Sequence, residues 1–210
     1  TIMYYFKYYV GEHDAVLFSA LGLNFSKVSV FMSSGLIAML IGIALTTTLC
    51  KYFEKRTLLI TLTILNAVSM GLFFVTPADN YGLMITINCI GALLIGPTPP
   101  LVWAMYTDTA DYCEWKTGRR ITALTFSSLQ FAQKLGLAVG AGLTGIILGW
   151  FGFVANEAQT AESMMGIRFL FSIMPAALAI AGAMAIFFYK IDSNTITTME
   201  KELAASRSSA

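Results

Sequence analysis

Lys134 lies 13 residues into a long apolar run that begins at Ile121. A lysine at the centre of a membrane helix costs about 2.5–3.5 kcal/mol on insertion scales, so it normally faces a polar cavity or a counter-charge. Ser127, Gln130 and Lys134 stand at i, i+3 and i+7, on one helical face, and Gln133 borders that stripe. The pattern reads as a wet wall at membrane depth. Two blander readings stay open: a side chain that snorkels to the interface, and a salt bridge that only packs helices. Snorkelling from mid-helix is hard, which favours the functional reading.

A second charged group follows the third apolar run. Asp108, Asp111 and Glu114 recur every three residues, and Lys116, Arg119 and Arg120 come next. On a helical continuation the carboxylates form one acidic face. Carboxylates can hold a divalent metal, but the adjacent basic residues argue against it. A solvated charged loop and a salt-bridge network that opens and closes are the remaining alternatives. Lys51–Arg56 mixes the same charges. No Walker A, GxSxG or HExxH pattern occurs. His13 has no partner set, and Cys50, Cys89 and Cys113 make neither a zinc pattern nor a complete disulfide framework.

These residues are positioned by apolar runs long enough to cross a membrane. Of 210 residues, 57% are hydrophobic and 12% charged, about half the charge of an ordinary soluble domain; the mean hydropathy is +0.71. That excludes a soluble globule and a disordered chain. A net charge of +1 argues against a nucleic-acid partner. Five spans are expected, at about 28–49, 58–75, 83–105, 121–151 and 164–189. Residues 1–10 read as the tail of a truncated helix, 11–27 as an external loop with a short surface helix, and 190–210 as a polar tail. The expected fold is an all-α, multi-spanning membrane helix bundle.

Basic residues set the orientation. Nine (Lys51, Lys55, Arg56, Lys116, Arg119, Arg120, Lys190, Lys201 and Arg207) fall on one side, and three (Lys7, Lys27 and Arg168) on the other. The first side is therefore cytoplasmic, as is the C-terminus. Within the spans, Gly96-Pro97-Thr98-Pro99-Pro100 marks a kink, either beside a cavity or in a merely bent packing helix. Ala141, Gly145 and Gly149, with Gly136 and Gly140, form a small-residue face that lets helix backbones approach. Asn66, Asn88, Thr61 and Thr86 read as interhelical hydrogen-bonders.

The stretch Asp108-Thr109-Ala110-Asp111-Tyr112-Cys113-Glu114-Trp115-Lys116-Thr117-Gly118-Arg119-Arg120 resembles the loop between helices 10 and 11 of the glycoside–pentoside–hexuronide:cation symporters. Cys113 stands where that family usually has glycine. Gln133-Lys134-Leu135-Gly136 resembles its helix 11, and Leu148-Gly149-Trp150-Phe151-Gly152-Phe153 the helix end that follows. The resemblance implies the C-terminal half of a major facilitator fold: the end of helix 7 and then helices 8 to 12. It implies that Lys134, with Gln130, Ser127 and Gln133 around it, links cation and sugar sites. It also implies that Asp108, Asp111, Glu114, Arg119 and Arg120 join a cytoplasmic gate between the halves. No cofactor is implied beyond a coupling Na⁺ or H⁺, bound mainly by an N-terminal half that is the expected partner.

The expected function is secondary active transport of a sugar, glycoside or hexuronide by alternating access in the cell (inner) membrane. A related facilitator carrying another solute, such as a lysolipid, is the nearest alternative. A membrane sensor or an intramembrane enzyme is the competing class. An enzyme needs a nucleophile–base pair or metal ligands within the spans. Those interiors hold one charged residue, Lys134, and no histidine.

Overall fold

A computed structural model describes residues 2–11, 16–20, 23–119 and 121–208. A short α1 (Ile2–Tyr4) runs into a π-helical turn, Tyr5–Val10, closed by Gly11 in the left-handed conformation. A two-stranded antiparallel hairpin follows, β1 (Val16–Ala20) and β2 (Leu23–Ser26). The surface helix expected within 11–27 is thus replaced by strands. Alternation of the kind Leu23-Asn24-Phe25-Ser26 suits a strand better than a helix. His13 lies outside the described residues.

The long helices are α2 (Lys27–Tyr52), α3 (Lys55–Val75), α4 (Tyr81–Ile95), α5 (Thr98–Thr117), α6 (Thr122–Trp150), α7 (Ala161–Phe171) and α8 (Ile173–Ile186); α9 (Ser193–Ser208) follows them. With α4–α5 and α7–α8 each counted as one crossing, five helices among the described residues are long and apolar enough to span a membrane. Their starts are capped where the sequence supplies a short polar side chain. Ser26 accepts from the Ser29 N–H, Asn80 from Leu83 and Thr160 from Ser163. Asp192 does the same at α9, accepting from Thr195, whose hydrogen bonds hold its carboxyl below the usual range.

Two crossings are broken, each beside proline. Pro97, Pro99 and Pro100 lack backbone donors, so the third crossing divides between Ile95 and Thr98. The kink is a packing feature. A Cβ on Gly96 would come within 2.5 Å of the Met39 carbonyl, and one on Gly42 within 2.4 Å of the Leu93 carbonyl. Here α2 and α4 touch backbone to backbone, which only glycine permits. The fifth crossing breaks at Ser172, whose Oγ donates back to the Arg168 carbonyl at 2.5 Å, three residues before Pro175.

The third crossing also continues beyond 105. Residues 106–117, expected between spans, are the last turns of α5, and the helix stops at Gly118 (φ +66°), whose N–H reaches the Glu114 carbonyl. A left-handed C-terminal glycine is a standard helix stop.

The core lies among α2, α3 and α4, with α7 and the N-terminal turns joining it at one end and α5 at the other. At one end Tyr5 and Phe6 are fully buried against Phe31, Phe73 and Phe171. Tyr5 stacks on Phe171 with ring centroids 4.4 Å apart, and Phe6 meets Phe31 edge-on at 4.9 Å. Residues 2–10 are therefore an integral part of the packed bundle. A second cluster, Leu58, Leu59, Leu62, Leu101 and Met105, fills the other end. By contrast, Leu148 is the one buried residue of α6 among those described.

A buried ion pair and a bare lysine helix

Asp108 sits on the third turn from the end of α5 and is 7% exposed. Lys55, the first residue of α3, donates to both of its carboxylate oxygens, at 2.7 and 3.0 Å. A carboxylate withdrawn from water needs such a partner. The pair lines a cavity of about 300 Å³ with Cys50, Tyr189, Thr197 and Glu200, roofed in part by α9. Asp108 is thus engaged inside this bundle. Asp111 and Glu114 are half-buried on the same helix, Arg119 is exposed, and Arg120 lies outside the described residues.

In the sequence Lys51–Arg56 falls on the same side as these carboxylates, but nothing there singles out Lys55 as the partner of Asp108. Nor does the polar tail announce α9 as a packed element. There, Met199 is buried and the Trp115 indole N–H donates to Glu202 at 2.6 Å, while the Lys116 ammonium stands 4.3 Å from the Trp115 ring centroid. The signal available was the Met-Glu-Lys-Glu run in an otherwise polar tail.

Ser127, Gln130, Gln133 and Lys134 are all exposed on α6. Ser127 turns its hydroxyl back to the Leu124 carbonyl at 3.0 Å. Lys134 has no hydrogen bond or ion pair among the described residues. The four groups share a helix, but no described element closes a cavity over them. The small-residue face of α6 is equally open: a Cβ added at Gly136, Gly140, Gly145 or Gly149 would meet nothing within 4 Å. The helix approach expected of that face occurs instead at Gly42 and Gly96. Of the expected hydrogen-bonders, Asn88 does bridge helices, donating to the Phe31 carbonyl at 2.7 Å. Asn66 is buried beside it, next to a cavity of about 230 Å³ that Ser69 and Asn88 also line.

Apolar crossings, glycine-mediated helix contacts and an ion pair at one end define a multi-pass membrane helix bundle. The family described as MFS/sugar transport protein matches residues 1–193, and the chain belongs to that family. Three relatives are the inner membrane symporter YicJ of Escherichia coli K12, the glucuronide carrier protein homolog of the same organism, and the uncharacterized symporter YjmB of Bacillus subtilis 168. The first is 33% identical over 83% of this chain and 38% of its own length. The second is 30% identical over 90% and 39%, and the third 32% identical over 91% and 42%. The chain therefore spans about two fifths of the length of these relatives. The resemblance to glycoside–pentoside–hexuronide:cation symporters is borne out.

Proposed function

We propose that this chain forms the C-terminal half of a cation-coupled symporter for a sugar-like solute, a glycoside or hexuronide, working by alternating access in the inner membrane. The observation that carries the reading is the bare polar stripe of α6. An ammonium at membrane depth needs a counter-charge, and none of the described residues supplies one to Lys134. A facing half with a carboxylate would. The relatives are more than twice as long as the aligned segment, which leaves room for such a half.

In this reading Ser127, Gln130, Gln133 and Lys134 face the solute path. Na⁺ or H⁺ binds mainly at carboxylates of the N-terminal half, and its occupancy is sensed by the Lys134 ammonium. The α5 end, with Asp111, Glu114, Arg119 and Arg120, closes the cytoplasmic side, while Asp108 holds that end in shape through Lys55. The nine-to-three basic asymmetry supports a cytoplasmic C-terminus. Transport without chemical conversion of the solute is the activity proposed; a lysolipid cargo is the lesser alternative, since one relative is named for glucuronides.

The test is uptake by the full-length transporter in vesicles. A glucuronide or other glycoside should accumulate under an inward Na⁺ or H⁺ gradient. Accumulation indifferent to both gradients would overturn the reading.

A further inference from the structure

We propose that the outer groove between α3 and α8 is a binding site for an anionic membrane phospholipid, with Arg56 as its headgroup anchor. Two hollows join along this face. One, of about 450 Å³, is lined by Arg56, Thr57, Ile60, Thr61 and Phe187. The other, of about 150 Å³, shares Ile60 and Phe187 and continues along Ile64, Ile180 and Met184. The groove thus has a polar, cationic end and an apolar length. From residue 56 to 64 a helix rises roughly 12 Å, enough for the upper part of an acyl chain.

Lys55 is neutralised by Asp108, while Arg56 stands between two hollows, lining both that cavity and this groove. Arg56 has no carboxylate partner among the described residues. It donates to the Phe187 carbonyl at 2.6 Å, and its guanidinium stands 5.1 Å from that ring centroid. This leaves further N–H donors of its fork for a phosphate. Phe187 and Phe188 are 66% and 78% exposed. The apolar walls are open too, with Ile64 at 44% and Met184 at 59% exposure. Acyl chains are the medium that such a wall meets in a bilayer. Arg56 and the exposed Lys190 and Lys51 favour phosphatidylglycerol over a zwitterionic lipid.

The inference needs only that the chain spans a membrane, so its test does not involve transport. The chain is purified in mixed micelles of phosphatidylglycerol and phosphatidylcholine, and retained lipid is counted by native mass spectrometry. Phosphatidylglycerol should be retained preferentially, and Arg56→Gln should lower its retention about fivefold, the weight of one basic residue near an anionic surface. Arg56→Lys should keep most of the preference. Met184→Trp, which fills the apolar length and leaves Arg56 in place, should lower retention as well. Soluble glycerol 3-phosphate should not displace the lipid. Equal retention of the two lipids by the unmodified chain, an unaltered preference in Arg56→Gln, or displacement by glycerol 3-phosphate would each overturn the proposal.

Discussion

Lys55 and Asp108, 53 residues apart in sequence, meet at 2.7 Å where the start of α3 crosses the end of α5. The carboxylate is 10% exposed and the ammonium side chain 34%. The pair therefore stands between a surface bridge, worth little, and a fully buried one, costly to break. Its position makes it a clamp on α5, the helix that carries Asp111, Glu114 and the Trp115 contact to α9.

Asp108→Asn should accordingly destabilise the bundle by roughly 1–3 kcal/mol, the loss of a charge-assisted hydrogen bond. Lys55→Ala should cost more, because it strands a carboxylate whose side chain is only 10% exposed. The double variant should be less damaging than the sum of the two. Thermal unfolding of the four proteins in detergent checks this; strictly additive losses would mean that the contact carries no coupling.

Glycines fall into two groups with opposite expected behaviour. Gly42→Leu drives a side chain into the Leu93 carbonyl, 2.4 Å from the new Cβ, and should cost about 1–3 kcal/mol as overpacking. Gly140→Leu meets nothing within 4 Å and should leave the unfolding temperature of the chain unchanged. If a second half packs on α6, the same Gly140→Leu change should impair uptake by the full-length transporter. Unfolding and uptake measured side by side separate these effects.

Hydropathy made the crossings legible, because a bilayer demands long apolar runs whatever their packing. The breaks were less so. The kink at Gly96–Pro97 could be read from proline chemistry, but its cause, contact with Gly42 on α2, is a tertiary fact. The run from Tyr106 to Thr117 was read as a loop because its charges lower the hydropathy; the helix persists because nothing before Gly118 stops it. Lys134 stood out through its cost in a membrane. Lys55 did not, since a lysine at a span end is ordinary until its partner is known.

Topology has its own probe. Cys113 is half-buried near the end of α5, its Sγ 3.8 Å from the Thr117 hydroxyl. In cells, a membrane-impermeant thiol reagent should label it only after the membrane is opened. Labelling from the outside of intact cells would invert the proposed orientation.

The α9 contact should be visible spectroscopically. Glu202→Ala removes the acceptor of the Trp115 indole N–H and should shift Trp115 emission to the red as α9 loosens from α5. The measurement uses a background in which Trp103 and Trp150 are replaced by phenylalanine. An unchanged spectrum would show that Met199 alone holds α9 in place.

The account rests most heavily on Lys134, an exposed ammonium halfway along α6 with no partner among the described residues. The most direct test is cation-driven solute uptake per correctly inserted molecule in full-length transporter carrying Lys134→Ala. Insertion should be close to normal, because the side chain supports no packing in this bundle, while gradient-driven uptake should fall at least about tenfold, the weight of a 1.4 kcal/mol coupling. Near-normal, gradient-dependent uptake by Lys134→Ala would contradict the account.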